Sequence, residues 1–364
     1  MDFILNILSY WDSALAVILV LGGLIFVHEL GHFLANRALG IGVITFSLGM
    51  GPRLCGKKIG KTDYRLSLLP FGGFVAAVGE YGPEIEQLGF TKEQAISNRP
   101  PWHRLIMAFA GPFANLVLAW LIYFGIAFNS GLIIPLPEVG AILPDSAAEA
   151  AGILPGDLIF ALDGNLIDEW NQVPAYVGQS GGKEIEVSLR RGTEDLTLRM
   201  TPTRQTRTNI FGETEEAWLI GIQAGDATRL EKQGLFQAAG SGLRQCWDMI
   251  DMTLTSLKKL VTGAVSADNV GGPILIGQLI GTQAKAGLLP LLMLAALISV
   301  NLGLLNLLPI PILDGGVILF SLIEMLVRRP VPETIQERSM QVGAALLIML
   351  MIFATFNDVL RWFK

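Results

Sequence analysis

A chain of 364 residues that is 51% hydrophobic and only 16% charged is too apolar for an ordinary soluble domain, in which about 25% of residues are charged. Its net charge of −6 argues against nucleic acid as a partner. Two cysteines, Cys55 and Cys246, lie far apart and support neither a disulfide framework nor a cysteine-based zinc site.

The first predicted element is an apolar span over residues 13–34, long enough to cross a bilayer at about 20 residues per span. Asp2 and Asp12 take the place of a basic leader, so a retained span is expected rather than a cleaved signal peptide. Its last third holds Phe26-Val-His-Glu-Leu-Gly-His-Phe33. His28 and His32 stand four apart, share one helix face and can bind one metal ion. Glu29 beside them can take a proton from water activated by such a metal.

Residues 36–103 are polar and carry Arg37, Arg53, Lys57, Lys58, Lys61, Arg65, Lys92 and Arg99. The positive-inside rule places this stretch in the cytoplasm and the N-terminus outside. Residues 63–75 alternate and then reach Gly72-Gly73, which reads as strand, turn, strand. Such a hairpin offers an edge to an extended peptide, or simply caps the cytoplasmic side; the pattern fits both. A second span is expected over 105–128. It opens with Gly111-Pro-Phe-Ala-Asn115, a signature of close helix packing with Asn115 facing protein.

Beyond Pro135 and Pro137 the chain turns soluble-like. Residues 139–165 read as strand, short helix ended at Gly152, tight turn, and strand into Asp163-Gly164. A second helix fits 170–177, and a hairpin around Arg191-Gly192 closes the unit. Residues 137–203 resemble a bacterial PDZ-like domain, which captures extended peptides by strand addition or serves as a steric plug. Two preceding spans place it outside the cytoplasm. Residues 206–233 read as polar and irregular, with an acidic run at 213–216. An amphipathic helix on or near the membrane is expected over 235–265, broken at Val270-Gly-Gly-Pro-Ile274.

A third span, 288–308, runs into Asn306-Leu-Leu-Pro-Ile-Pro-Ile-Leu-Asp-Gly-Gly316. Pro309 and Pro311 forbid a straight helix, and broken backbone at membrane depth must be surrounded by protein or water. Asp314 is the single acid there, and an intramembrane ionisable residue points to function. Arg328 and Arg329 mark a cytoplasmic end, and a fourth span, 342–356, returns the C-terminus outside, with Asp358 interfacial. The expected architecture is a polytopic α-helical membrane protein with about four transmembrane helices, a cytoplasmic-side membrane-associated β-hairpin region and one extracytoplasmic PDZ-like α+β domain. Its divisions are 1–36, 37–103, 104–130, 137–203, 204–286, 287–328 and 329–364.

Catalytic zinc uses three protein ligands and leaves a position for water. The third histidine, His103, lies at the mouth of the second span, and Asp314 is the outstanding acid at membrane depth. A His28, His32, Asp314 set with one zinc ion fits hydrolysis, with Glu29 as general base and then proton donor to the leaving amine. A membrane helix must unwind to be cut, leaving backbone groups unpaired at several kcal/mol each. Asn306, and after it Asn301, can supply replacement hydrogen bonds, or serve helix packing.

These motifs resemble the site-2 protease family of intramembrane zinc metalloproteases (peptidase family M50), and within it the bacterial regulator-of-sigma-E branch. The matches are His28-Glu-Leu-Gly-His32, Phe46-Ser-Leu-Gly-Met-Gly-Pro52, Pro70-Phe-Gly-Gly-Phe-Val75, Gly111-Pro-Phe-Ala-Asn115, the PDZ-like region and Asn306–Gly316, in the family's order. The resemblance implies zinc at His28, His32 and Asp314, with Glu29 catalytic. It implies a bacterial inner-membrane location with the active site toward the cytoplasm. It implies substrates that are single-pass membrane proteins already trimmed by another protease, such as anti-sigma factors, and remnant signal peptides. The hairpin, with Gly72, Gly73 and Phe74, then holds the substrate strand, the Asn306, Pro309 and Pro311 segment contacts it, and the PDZ-like region acts as a size filter. One departure stands out. The best-studied Gram-negative members carry two tandem PDZ domains, and residues 206–233 are too few for a second, since a domain needs at least about 50 residues.

Two other classes compete. A non-catalytic membrane scaffold would use the PDZ-like region alone, but such a protein has no need of all of His28, Glu29, His32 and Asp314. A transporter would share the broken helix, but no inverted repeat is visible.

Overall fold

Long apolar runs without an interior breaker become helices that satisfy their own backbone, the condition for crossing lipid. The computed structural model describes residues 2–79, 89–208, 214–264, 271–361 and 363; Glu213 of the acidic run and Val270 of the expected helix break lie outside them. Four helices among the described residues are long and apolar enough to span a membrane. They are the 12–38 part of α1 (Asp2–Ala38), α2 (Pro101–Ser130), α7 (Leu288–Asn306) and α9 (Glu333–Arg361). Their outer faces stay bare: Leu19, Met349 and Ile352 are 65%, 65% and 63% exposed, which is costly in water and free in lipid.

The chain divides into two compact units, Met1–Ile126 with Ala239–Leu257 and Ser266–Lys364, and Ala127–Ala238 with Lys258–Val265. In the first, α1 and α2 cross at a glycine. A Cβ on Gly31 would sit 2.8 Å from the Ala114 Cβ and closer still to the Ala110 carbonyl, so only hydrogen allows the approach. The Ser299 hydroxyl donates to the Asn115 carbonyl at 2.8 Å, tying α7 to α2. Buried Ala119, Tyr123, Ala296 and Val300 pack there with Cys246 of α5 (Leu235–Val261), so the expected amphipathic helix buries one face on its neighbours.

Residues 273–286, left as linker by the sequence pattern, form α6 (Pro273–Ala286), with proline at its start. Its N-terminal amides are capped from another helix. The carboxylate of Asp358 on α9 accepts from the N–H groups of Gly272, Ile274 and Leu275 at 2.9, 3.1 and 3.0 Å. Asp358, expected at the interface, is therefore buried, because three orphan donors need an acceptor. Past α7 the chain breaks at residues 307–313, where tight turns such as Leu313 N–H to the Ile310 carbonyl (2.9 Å) re-satisfy the backbone. Then α8 (Asp314–Val327) begins, anchored by an ion pair between Arg104 of α2 and buried Glu324.

The polar segment after α1 folds as β1 (Val43–Ile59) and β2 (Thr62–Ala77). The turn lies at Gly60-Lys61. Gly72-Gly73, expected to turn, instead lies inside β2, with Gly72 at φ 94° bending the strand. The two strands curl so that residues 45–48 are registered against both 63–66 and 73–76. Among the described residues no strand pairs along the other side of 73–76.

The second unit shows the elements read between 137 and 203: β4 (Val139–Ile142), α3 (Ala147–Ala150), β5 (Leu158–Leu162), β6 (Asn165–Leu166), α4 (Gln172–Gln179), β7 (Ile185–Arg191) and β8 (Glu194–Met200). Strands β6, β5, β7 and β8 form one sheet over a core that includes Ile159, Leu162, Val173, Val187 and Leu189. Residues 206–233, expected to be irregular, carry strands among the described residues. β9 (Thr203–Thr208) and β10 (Thr214–Leu219) make a hairpin, β11 (Ile222–Ala224) pairs with β4, and β12 (Thr228–Glu231) pairs with β3 (Leu132–Pro135). These short, mostly exposed strands lack an apolar alternation; for β11 and β12, partners about 80 to 100 residues earlier in the chain define them.

Candidate metal centre

The His28 and His32 side chains leave α1 on one face, as their spacing requires, and both are 8% exposed. Their Nε2 atoms lie 3.1 Å apart. Asp314, the first residue of α8, completes the set, with Oδ2 at 3.1 Å from His28 Nε2 and Oδ1 at 3.4 Å from His32 Nε2. All three ligand atoms fall within 4.8 Å of one another. Donors at about 2.0–2.1 Å from a shared tetrahedral zinc stand about 3.3 Å apart, so this cluster fits the ion. The helix N-terminus behind Asp314 adds a favourable dipole for its charge.

The neighbours of the histidines come from α2. His32 Nδ1–H donates to the Met107 carbonyl at 2.8 Å, leaving Nε2 with its lone pair toward Asp314. Asn115, fully buried, places its amide 3.2 Å from His28 Nδ1. Between them Gly111 lies against the ligand nitrogens; a Cβ there would strike the His32 Nε2. Met107, Gly111 and Asn115 are spaced i, i+4, i+8, so one face of α2 serves both histidines. Sequence pattern alone assigns both Gly111 and Asn115 to helix packing. Their four-residue spacing, equal to that of the histidines, is the signal that could have found them.

The cluster opens on a cavity of about 390 Å³. Glu29 lines it beside His28, with Gly72, Gly73 and Phe74 of β2 on one wall and Asn306 with Ile312 and Leu313 on another. Gly73 must be glycine, since a Cβ would fall 2.9 Å from Glu29 Cγ and 3.0 Å from the Ser47 carbonyl oxygen. Pro309 and Pro311 line a different groove, of about 410 Å³, against Arg338, Val342 and Gly343 of α9. Asn301 is turned to α5, where it accepts from the Thr253 hydroxyl at 2.7 Å. His103 stands edge-on to Trp102 and does not line the cavity.

The chain matches the model of Peptidase family M50 over residues 16–350. It is 38% identical over 355 residues to a protein of Agrobacterium fabrum that carries the name zinc metalloprotease, covering 94% of each chain. A Campylobacter jejuni protein of like name is 38% identical over 361 residues, covering 98% of this chain and 96% of its own. The regulator of sigma-W protease RasP of Bacillus subtilis is 28% identical over 427 residues, covering 97% of this chain and 99% of its own. A solved PDZ domain of an SdrC-like protein from Listeria monocytogenes aligns with 24% of this chain and 86% of that one, at 22% identity and a TM-score of 0.20.

Proposed function

The chain belongs to peptidase family M50 as a zinc metalloprotease of the intramembrane, site-2 type, and on that premise we propose that it hydrolyses peptide bonds inside the membrane segments of single-pass proteins. The proposed substrates are anti-sigma factors already trimmed by another protease, and remnant signal peptides. The observation that carries this reading is the convergence of His28, His32 and Asp314 at one cavity, with Glu29 on its wall, in helices able to span a bilayer.

In this reading His28 Nε2, His32 Nε2 and an Asp314 carboxylate oxygen hold one zinc ion per chain. Zinc bound there supplies Lewis acidity, polarising the scissile carbonyl and easing deprotonation of water. Glu29 takes the proton of the attacking water on its carboxylate and delivers it to the leaving amine. The edge of β2 at Gly72, Gly73 and Phe74 receives the unwound substrate as an added strand, satisfying backbone groups that lipid cannot. The side chain of Asn306 offers a further hydrogen bond to that strand. In the same reading the protein sits in a bacterial inner membrane, and the excess of Lys and Arg in residues 37–103 supports an orientation with the centre toward the cytoplasm and both termini and residues 137–203 outside. Residues 137–203 are read as a PDZ-like domain.

The test uses purified protein in detergent and a single-pass substrate lacking its outer domain. Wild type, Glu29→Gln and chelator-treated wild type are run together, with bound zinc measured on each. Cleavage by wild type alone, with about one zinc retained per Glu29→Gln chain, is the expected result. Absence of zinc from the wild type would overturn the ligand assignment.

A further inference from the structure

Among the described residues the Asn115 side chain has one hydrogen-bond partner, and that partner is a proposed metal ligand. It is fully buried in α2, with its amide nitrogen 3.2 Å from His28 Nδ1 and its Oδ1 unpaired among the described residues. A buried amide with one of its two ends orphaned is costly, so its presence asks for a reason. The reason follows from the ring beside it. If His28 offers the lone pair of Nε2 to a metal, its neutral ring carries the proton on Nδ1. An amide N–H₂ facing that Nδ1–H would set donor against donor. Oxygen and nitrogen of a side-chain amide are exchangeable by a simple flip, and chemistry decides between them.

We infer that Asn115 is a positioning residue of the metal centre: its Oδ1, not its Nδ2, faces His28 and accepts the Nδ1–H, so fixing the tautomer that leaves Nε2 free to bind. This rests on the reading of His28 as a ligand. It makes the two histidines equivalent. His32 Nδ1–H is already held by the Met107 carbonyl at 2.8 Å, and Asn115, eight residues on along the same face, does the same for His28 from a side chain. The Ser299 hydroxyl on the Asn115 carbonyl and the close pass of α7 at Gly303 hold this turn of α2 in place.

The test compares Asn115→Leu, which keeps the volume and removes the acceptor, with Asn115→Asp, which keeps an oxygen toward the ring. Zinc affinity is measured in detergent by competition with a chromophoric chelator, and the melting temperature of each zinc-free protein is recorded. Loss of such an outer hydrogen bond weakens metal binding about 10- to 100-fold, and that loss is expected for Asn115→Leu. Asn115→Asp is expected to hold zinc within a few-fold of wild type. Neither zinc-free melting temperature should follow the affinity. Wild-type affinity in Asn115→Leu, or equal loss in both variants, overturns the inference and leaves Asn115 a packing residue. Wild type that binds no zinc overturns the underlying ligand reading instead.

Discussion

Gly111 is the position at which the architecture is most exposed to test. A Cβ built on it falls 2.6 Å from His32 Cε1 and 2.9 Å from His28 Cε1, against the 3.4 Å at which ordinary contact begins. In Gly111→Ala the imidazoles must therefore retreat by at least about 0.8 Å at His32 and 0.5 Å at His28, or α2 must move away from α1, and a site tolerates only about 0.5 Å of displacement. Overpacking of this kind costs about 1–3 kcal/mol. If the histidines absorb it, zinc affinity falls about 5- to 150-fold, at 1.4 kcal/mol per decade. Gly125 supplies the control, being on the same helix with nothing within 4 Å of an added methyl. The assay is chelator competition on both alanine variants, with cleavage of a single-pass substrate alongside. Gly125→Ala should match wild type in both. Gly111→Ala with wild-type zinc affinity and wild-type cleavage would refute the close passage of α2 over the two histidines.

Other outcomes are expected from the same geometry. Gly73→Ala pushes on Glu29 without touching the histidines, so cleavage should fall at least about 10-fold while zinc affinity holds, read from kcat and chelator competition. Asp358→Ala strips the cap from three α6 amides and should lower stability by about 1–3 kcal/mol, read by thermal melting in detergent. Arg191→Leu leaves Asp157 buried without its bidentate partner, at 2.8 and 2.7 Å, and should cost the 127–238 unit about 1–3 kcal/mol. Burial raises the Asp157 pKa, but hydrogen bonds from Arg191 and the Leu154 N–H outweigh it, so the net shift is below the usual 3.8. The pair's contribution is thus full above about pH 4 and disappears as pH falls through the lower folded value; melting of Asp157→Asn should show a shallower acid limb than wild type. Zinc at 100 times its Kd should raise stability of the whole protein by about 2.7 kcal/mol, and this gain should vanish in His32→Ala.

Local chemistry already specifies much of this protein. Spacing alone puts His28 and His32 on one helix face. Apolar length marks the spanning helices. Pro309 and Pro311 stop α7 at residues 307–313, because proline can neither donate nor fit inside a helix. Asp314 stands out because a lone carboxylate in an apolar run is too costly to be idle. Those are properties of a residue and its near neighbours in sequence, and they are legible without a fold.

What depends on distant partners is not legible. Gly72-Gly73 carries a turn signature, yet it continues β2 because residues 45–48 offer it a ladder. Residues 203–231 show little apolar alternation, and β11 and β12 among them become strands only because β4 and β3, near the start of the same unit, present unpaired edges. Asp358 is an ordinary acid near a chain end until the bare amides of α6 meet it. The role of α2 is the clearest case. Two histidines, a glycine and an asparagine about 80 residues apart share a purpose only when α1 and α2 cross at Gly31. Sequence sets which side chains a segment can present; only tertiary contact decides what they are presented to, because hydrogen bonds and steric fit act over about 3 Å in space whatever the separation along the chain.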